Sequence, residues 1–333
     1  MSENLMPHPE IVYVTCCDNG VFGLEYLLAC GVSIRRVITI PPEVARQANV
    51  SGYCDVVPVC RKYGIEVVVL DRYNIEVGHL GGEPLDLLIV NGWNRLIAGS
   101  VIERFRYGGL GVHAGHPPIG LGRAPLPWNI IKGHEDLEVY VFRLTAQADD
   151  GDIVARFPVE ITALDTAATL YEKVMWRTAI LFETALQEFP RALLEAQAQD
   201  LRFAIHYEKR EPKDGAIDFR WSCRRIHDFV RAQTHPYPGA YCYLDGVRWT
   251  IWECAPFDRF SFREQQRVPG EVLLALPHGL VVATGTSPIW LTEAEAEGKV
   301  VIPGDLEALR SFVGRCFTTA IDTADGTIVP VSG

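Results

Sequence analysis

The sequence predicts an α/β fold: a Rossmann-like parallel sheet forming a catalytic domain, followed by a small C-terminal antiparallel β-barrel (OB-like) domain. Three observations carry that expectation. Short, almost wholly apolar runs alternate with helical patterns through the first third of the chain, the signature of parallel strands covered on both faces. The third of the chain beyond residue 220 instead alternates apolar and polar residues in short runs. Between the two lies a polar stretch, "LEAQAQDLRFAIHYEKREPKDGAIDF". The expected boundaries are 10–202 for the first domain and 203–333 for the second.

The first apolar run, "IVYVT" (Ile11–Thr15), reads as a strand. It ends in Asp18-Asn19-Gly20, and Leu24, Leu27 and Leu28 then fall on one helix face that Gly31 can close. "RRVITI" (Arg35–Ile40) is a second strand, and "PPEVARQANVSGY" after it has no clear period and reads as a loop. "VPVCRKYGI" and "EVVVLD" give helix, turn and strand. "LDLLIVNGW" (Leu85–Trp93) is the most continuous buried strand, and "SVIERFRYG" a helix ending at Gly108. "GVHAGHPPIGLGRAPLPW" (Gly111–Trp128) follows. With four prolines, which fix φ and remove backbone donors, it reads as a rigid loop rather than a regular helix or central strand. Asp165 or Thr166 can cap a helix running to about Glu188, with Leu170, Val174, Leu181 and Ala185 at helical spacing. In the last third, "CRRIHDFVRAQ" is helical, Asp245-Gly246 between two alternating runs marks a hairpin, and "GEVLLAL", "GLVVATG" and "SPIWLTEAEA" add short strands.

The 333 residues allow two cores, and 48% hydrophobic with 22% charged residues describes a globular protein. A net charge of −11 argues against a phosphate-backbone partner, so no nucleic acid is expected. The nine cysteines lack paired ligand spacing, so neither zinc nor a disulfide framework is expected, and buried reduced thiols in a cytoplasmic protein are the simplest reading. No signal peptide and no membrane-length apolar run is read.

Ligands of open α/β sheets sit beyond the carboxyl ends of the strands. Asp18-Asn19-Gly20, Asn91-Gly92-Trp93 and the His113 loop are all expected there. His113 can act as base and then acid, or simply as a hydrogen-bonding loop residue. "QADDGDIV" places Asp149, Asp150 and Asp152 around Gly151, a cluster that can orient a histidine, bind a metal or form an acidic turn. Arg123 can hold an anionic ligand or cap the loop.

Taken together these residues resemble the folate-dependent formyltransferases, whose signature has the form N-x-H-x-S-L-L-P-x-x-R-G-x-x-P, a tryptophan three residues on, and later L-D-x-G-D. His113, Pro118, Gly122, Pro125 and Trp128 fall on that spacing, and Asp149 falls on the catalytic aspartate. "GRAPLPW", "REPKDGAIDF", "IHDFVRA" and "PYPGAYCYLDGVRWTIW" look most similar to the nucleotide-sugar branch, such as the formyltransferase half of the bifunctional polymyxin-resistance enzyme. The resemblance spans roughly residues 10–285.

The resemblance implies transfer of a formyl group from 10-formyltetrahydrofolate, as co-substrate, to the amine of a nucleotide-linked amino sugar. His113, Asp149 and His116 would be catalytic. Asn91, Gly92, Trp93 and Asp152 would bind the co-substrate, and Asp18, Asn19, Gly20 and Arg123 the acceptor. No metal is implied, and a homodimer is allowed for. Several positions depart from the signature. Gly111 stands where the oxyanion-binding asparagine is expected, Gly115-His116-Pro117 replaces S-L-L, and Leu121 replaces the arginine. "LEVY" (Leu137–Tyr140) stands where a T-G-V-T strand usually follows. His116, Asn94 and Asn129 are the candidate substitute donors. A folate-dependent hydrolase releasing formate and a weakened folate or nucleotide-sugar binding protein are the competing functions. Methionyl-tRNA formylation is disfavoured by the absence of a basic excess in the second domain, and hydroxyornithine-type amines stay open as acceptors.

Overall fold

A computed structural model of the chain describes residues 9–260, 262, 267–322 and 328–330. The first eight residues, read above as free of a signal peptide, lie outside that range. The chain divides into two compact units: residues 1–122, 137–159 and 172–207, and residues 123–136, 160–171 and 208–333.

In the first unit, β1 (Ile11–Val14), β2 (Arg36–Thr39), β3 (Glu66–Val69), β4 (Leu87–Val90) and β5 (Gly109–Gly115) pair in parallel. Helices α1 (Asp18–Ala29), α2 (Pro42–Gln47), α3 (Val57–Tyr63) and α4 (Gly99–Ile102) lie in the connections. A short strand β6 (Ile119–Gly122) follows β5. After α5 (Pro125–Ile131), β7 (Asp136–Arg143) returns antiparallel to β5, and β8 (Ile153–Glu160) completes the order β3-β2-β1-β4-β5-β7-β8. The sheet is therefore mixed, parallel on one side of β5 and antiparallel beyond it. Every residue of β1, β2 and β4 is buried, as the apolar runs of β1 and β4 require, and in β2 this includes Arg36 and Thr39. The long helix α6 (Ala167–Gln187) and α7 (Arg191–Leu194) precede β9 (Ile205–Tyr207), which pairs in parallel with β6.

Three expectations change. "PPEVARQ" is the helix α2, because Pro41 and Pro42 stand at its N-terminus, where no backbone donor is needed. The helix expected in "SVIERFRYG" is the single turn α4. The supposed rigid loop resolves into three elements: the proline-free Gly109–Gly115 is a central strand, Ile119–Gly122 a short strand, and Pro125–Ile131 a helix with its prolines in the first turn. Proline density averaged over eighteen residues concealed that the prolines sit at element ends.

In the second unit, α5 packs against α8 (Cys223–Arg231). Strands β10 (Ala240–Leu244), β11 (Val247–Pro256), β12 (Val272–Leu276), β13 (Gly279–Val282), β14 (Ile289–Ala296), β15 (Lys299–Ile302) and β16 (Phe317–Thr318) form an antiparallel sheet in the order β12-β13-β14-β11-β10-β16, with β15 on β14. Asp245 and Gly246, at φ 52° and 79°, make the expected hairpin turn between β10 and β11. The sheet curls, and Phe317 N–H donating to Gly270 O at 2.8 Å and Val272 N–H to Arg315 O at 2.9 Å join its two ends. It is a half-barrel closed by a short bridge rather than by a full ladder. Its core gathers Ile226, Trp249, Ile251, Leu280, Leu291 and Phe317.

Inside this unit the buried Asp228 accepts from Arg231 Nε at 2.8 Å and Arg224 Nε at 2.7 Å, and Arg231 also donates to the Thr162 and Asp165 carbonyls. Burial alone would push the Asp228 carboxyl up. The bonds from His227, Arg224 and Arg231 outweigh it and hold the group down to about 2.

Candidate active site

The candidate site is built on β5. Side chains alternate along a strand, so Gly109, Gly111, His113 and Gly115 share one face, and His113 is the only one with a side chain. The antiparallel register sets Phe142 opposite Gly111, Tyr140 opposite His113 and Glu138 opposite Gly115. Directly opposed residues project to the same side, so the large side chains of β7 lean over the glycine stripe of β5.

His113 is fixed by a hydrogen bond at one ring nitrogen and faces a carboxylate with the other. Nε2 lies 2.9 Å from Gly120 O. A carbonyl can only accept, so Nε2 carries the hydrogen, and Nδ1 is left as the nitrogen that can take up or release a proton. Nδ1 faces Asp149 Oδ2 at 3.6 Å, an ion-pair distance when the imidazole is protonated. Asp149 Oδ2 in turn accepts from Gly122 N–H at 3.1 Å. Both partners are therefore tied to β6. That strand passes tightly under Tyr207: Gly120 and Gly122 adopt φ 86° and 94°, and a Cβ on Gly122 would lie 3.0 Å from Tyr207 O. His113 and Asp149 side chains retain only 9% and 19% exposure, enough for one edge of the pair to reach solvent. The arrangement can pass a proton between a nucleophile arriving at Nδ1 and a leaving group, with the carboxylate offsetting the positive charge while the imidazole holds it.

Gly111 explains itself sterically. A Cβ there would sit 2.8 Å from Leu144 Cδ2 and 2.9 Å from Phe142 Cζ. The space that an asparagine side chain would take is already filled by an aromatic ring and a leucine. Of the candidate substitute donors, Asn129 is spent: its Nδ2 donates to Pro125 O at 2.9 Å and its Oδ1 bonds His134 Nδ1 at 2.7 Å. His116 closes the β5–β6 turn, its N–H donating to Ile119 O at 2.9 Å. Asn94 is exposed and anchored through its backbone N–H, which donates to Tyr73 Oη at 2.8 Å.

The other expected residues fall into two groups. Asp18, Asn19 and Gly20 form the first turn of α1 and meet the end of β4, where a Cβ on Gly92 would lie 2.6 Å from Asn19 Oδ1. Gly20 is required there because its Cβ would overlap Asn91 O at 2.1 Å. Asn91 is 1% exposed, and its Nδ2 donates to Tyr13 Oη at 3.0 Å while Tyr13 donates to Gly20 O at 2.8 Å. Asn91 thus clamps α1 onto β1 from inside. Trp93 is likewise packed in the core, edge-on to Tyr73 at 4.5 Å. Asp152 is exposed and contributes its carbonyl, which accepts from Arg143 N–H at 2.9 Å. Arg123, also exposed, opens the first segment of the second unit.

Two residues near the pair escaped sequence reasoning. Tyr140, edge-on to His113 at 5.7 Å, buries a hydroxyl with no hydrogen-bond partner among the described residues. Burial, then the Asp149 and Glu138 carboxylates, push its ionisation up, so it stays neutral. Gln199 Nε2 donates to both Asp149 O and Gly151 O. Neither has a local signal, since only the β5–β7 register and the return of the chain after α7 bring them here. All nine cysteines are free thiols; Cys30 is exposed and Cys54 and Cys316 half-buried, so burial of all nine does not hold. Among the described residues no helix is long and apolar enough to cross a membrane.

Residues 10–186 match the formyl transferase family, and residues 209–306 match the formyl transferase C-terminal domain. Among solved structures, the N-formyltransferase from Helicobacter canadensis in complex with folinic acid and dTDP-3-aminofucose superposes with a TM-score of 0.64 at 14% identity, over 85% of this chain and 99% of that one. WlaRD, a sugar 3N-formyltransferase crystallised with dTDP and 5-N-formyl-THF, gives 0.61 at 16% identity, over 88% and 100%. HypX from Aquifex aeolicus in complex with tetrahydrofolic acid gives 0.57 at 19% identity, over 89% of this chain and 46% of that one, so this chain spans about half the length of the HypX chains it matches. With more than half its length on the family pattern, the chain belongs to the formyl transferase family.

Proposed function

We propose that this enzyme transfers a formyl group from 10-formyltetrahydrofolate to the amine of a nucleotide-linked amino sugar, with His113 and Asp149 handling the proton. The observation that carries the reading is the facing of His113 Nδ1 and Asp149 Oδ2 at 3.6 Å in a chain of this family. The folates and the dTDP-linked amino sugar held by the similar structures supply the ligand classes.

The amine nitrogen attacks the formyl carbon, forming the new C–N bond as the carbonyl oxygen takes up negative charge. Nδ1 accepts the proton released by the amine, and Asp149 balances the imidazolium. Collapse breaks the bond to N10 of the folate, and the same proton returns to that nitrogen, leaving tetrahydrofolate and a formamide. Gly111 lends no side chain to the oxyanion, and losing one such donor costs about 2.7–4 kcal/mol in well-studied acyl-transfer sites. The reading therefore expects slow turnover, and a weakened ligand-binding protein is the second reading that the filled space beside Gly111 favours.

The test is a thermal-shift screen of 10-formyl- and 5-formyltetrahydrofolate against UDP-, dTDP- and GDP-amino sugars, then tetrahydrofolate release with the acceptors that bind. A ligand at a hundred times its Kd stabilises by about 2.7 kcal/mol, a clear rise in Tm. The expected result is binding of a folate and a nucleotide sugar, and turnover that His113→Gln reduces by about 100-fold or more. Release of formate without any amine would assign a hydrolase instead, and binding without turnover a binding protein. Full activity in His113→Gln would sink the mechanism.

A further inference from the structure

The carboxylate half of the pair rides on the turn between β7 and β8, whose internal bonds run from Thr145 to Gln147 and Asp150 and leave the Asp149 carbonyl to an outside donor. Asp149 takes a left-handed backbone, φ 58°, which is unfavourable for a residue with a side chain. Two residues on, the chain presses against β7 so closely that a Cβ on Gly151 would lie 1.7 Å from Arg143 O. Ladder bonding resumes only at Asp152, whose carbonyl accepts from Arg143 N–H at 2.9 Å. The Asp149 and Gly151 carbonyls are instead satisfied from outside the turn by one side chain. Gln199 Nε2 donates to Asp149 O at 2.9 Å and to Gly151 O at 2.8 Å, bracketing Asp150. A primary amide has two N–H groups, and both are spent here.

Gln199 is held in place from its own side. Ile153 N–H donates to Gln197 O at 2.7 Å and Gln197 N–H donates back to Ile153 O at 2.8 Å, so the segment before Gln199 is zipped to the start of β8. The His113 ring, by contrast, is oriented by Gly120 O with no help from this turn. The separation between Nδ1 and Oδ2 thus depends on where the Asp149 backbone is pinned.

We infer that Gln199 is the positioning residue of the His113–Asp149 pair, its amide fixing the left-handed Asp149 so that the carboxylate faces Nδ1. The inference rests on the reading of His113 and Asp149 as the proton-handling pair. Misplacing a reacting group by about 1 Å costs about 100-fold in rate. Gln199→Glu keeps the shape but sets a carboxylate against two carbonyl oxygens. Gln199→Lys restores donors on a comparable reach.

Two measurements on the full chain test it. The first needs no substrate: the Gly122 amide is bonded to Asp149 Oδ2 at 3.1 Å, so its hydrogen exchange, followed by NMR, reports the carboxylate's position. Asp149→Ala serves as the control that sets the unprotected rate. In Gln199→Glu, Gly122 exchange is expected to accelerate about tenfold, the worth of one hydrogen bond to a charged group, with β1 and β4 amides unchanged. Gln199→Lys is expected to recover protection, and Gln199→Met, uncharged and without donors, repeats the Glu result should the carboxylate prevent folding. The second measurement is turnover: kcat falls about 10- to 100-fold while KM for the folate holds.

Unchanged Gly122 protection in both Gln199→Glu and Gln199→Met overturns the inference. So does uniform acceleration across the first unit, which would make Gln199 an ordinary structural residue. A wild-type chain that binds no folate and transfers no formyl group would refute the proposed function, and the exchange measurement would still decide what Gln199 holds.

Discussion

Replacing Gly111 by asparagine restores the residue type that the family pattern carries at this position, yet the structure makes it a damaging change. The new Cβ would approach Leu144 Cδ2 to 2.8 Å, Phe142 Cζ to 2.9 Å and Phe142 Cε1 to 3.3 Å. Such overpacking typically costs about 1–3 kcal/mol. The amide would then be buried against a leucine and a phenyl ring, adding about 1–3 kcal/mol for an unsatisfied polar group. Relief of glycine's chain entropy returns only about 0.5–1 kcal/mol. The net expectation is a loss of roughly 2–5 kcal/mol, which for a unit of this size lowers Tm by about 4–20 °C. The assay is a thermal melt followed by tryptophan fluorescence, for Gly111→Asn, Leu144→Ala and the pair together. Because the two positions touch, the double variant should lose less than the sum of the singles, by about 0.5–3 kcal/mol. Tetrahydrofolate release measured alongside should show no gain from the asparagine. A Gly111→Asn chain as stable as wild type, or strictly additive with Leu144→Ala, would refute the claim that Phe142 and Leu144 occupy that space.

Further outcomes follow from other buried groups. Tyr140→Phe removes a hydroxyl with no partner among the described residues, so Tm should hold or rise by the equivalent of up to about 1 kcal/mol, whereas Tyr140→Ala, which empties the ring's volume, should cost about 3–5 kcal/mol. A marked loss in Tyr140→Phe would show that the hydroxyl is bonded after all. For Asp228, the folded carboxyl lies near 2 and the unfolded one near 4, so its stabilisation is complete above about pH 4 and fades as pH falls toward 2. The shift corresponds to about 2 kcal/mol. Asp228→Asn, which leaves the buried Arg231 without its counter-charge, should cost about 3–5 kcal/mol at neutral pH. The Tm gap between the two proteins should narrow between about pH 4 and 2, and a gap independent of pH would contradict the assignment.

Much of the fold was legible in the chain itself. Wholly apolar runs such as β1 and β4 read as strands covered twice and are buried throughout; β2 is buried throughout as well, although Arg36 and Thr39 are among its residues. The Asp245-Gly246 turn and the Ala167–Gln187 helix were equally plain, because turn chemistry and the 3.6 period are local properties. The spacing of His113, Gly122, Pro125, Trp128 and Asp149 named the two residues that the structure does bring together. The same reading misjudged the segment around them, since proline content does not say which residues lie between prolines and which at element ends. It assigned Asn91 and Trp93 to a ligand, and the structure shows both as interior residues, 1% and 9% exposed. A polar side chain at a strand end looks alike in sequence whether it grips a substrate or Tyr13.

What sequence by itself determined is the layered order of elements, because it rests on patterns within one stretch of chain; His113 and Asp149 were singled out by the resemblance to a known family. Only tertiary structure decided the antiparallel register that sets Tyr140 beside His113 and fills the Gly111 side with Phe142 and Leu144. It alone decided that Gln199, fifty residues beyond Asp149, would hold that aspartate's backbone. Register and long-range closure are set by how whole elements bury their surfaces against one another, and no local run of residues carries that information.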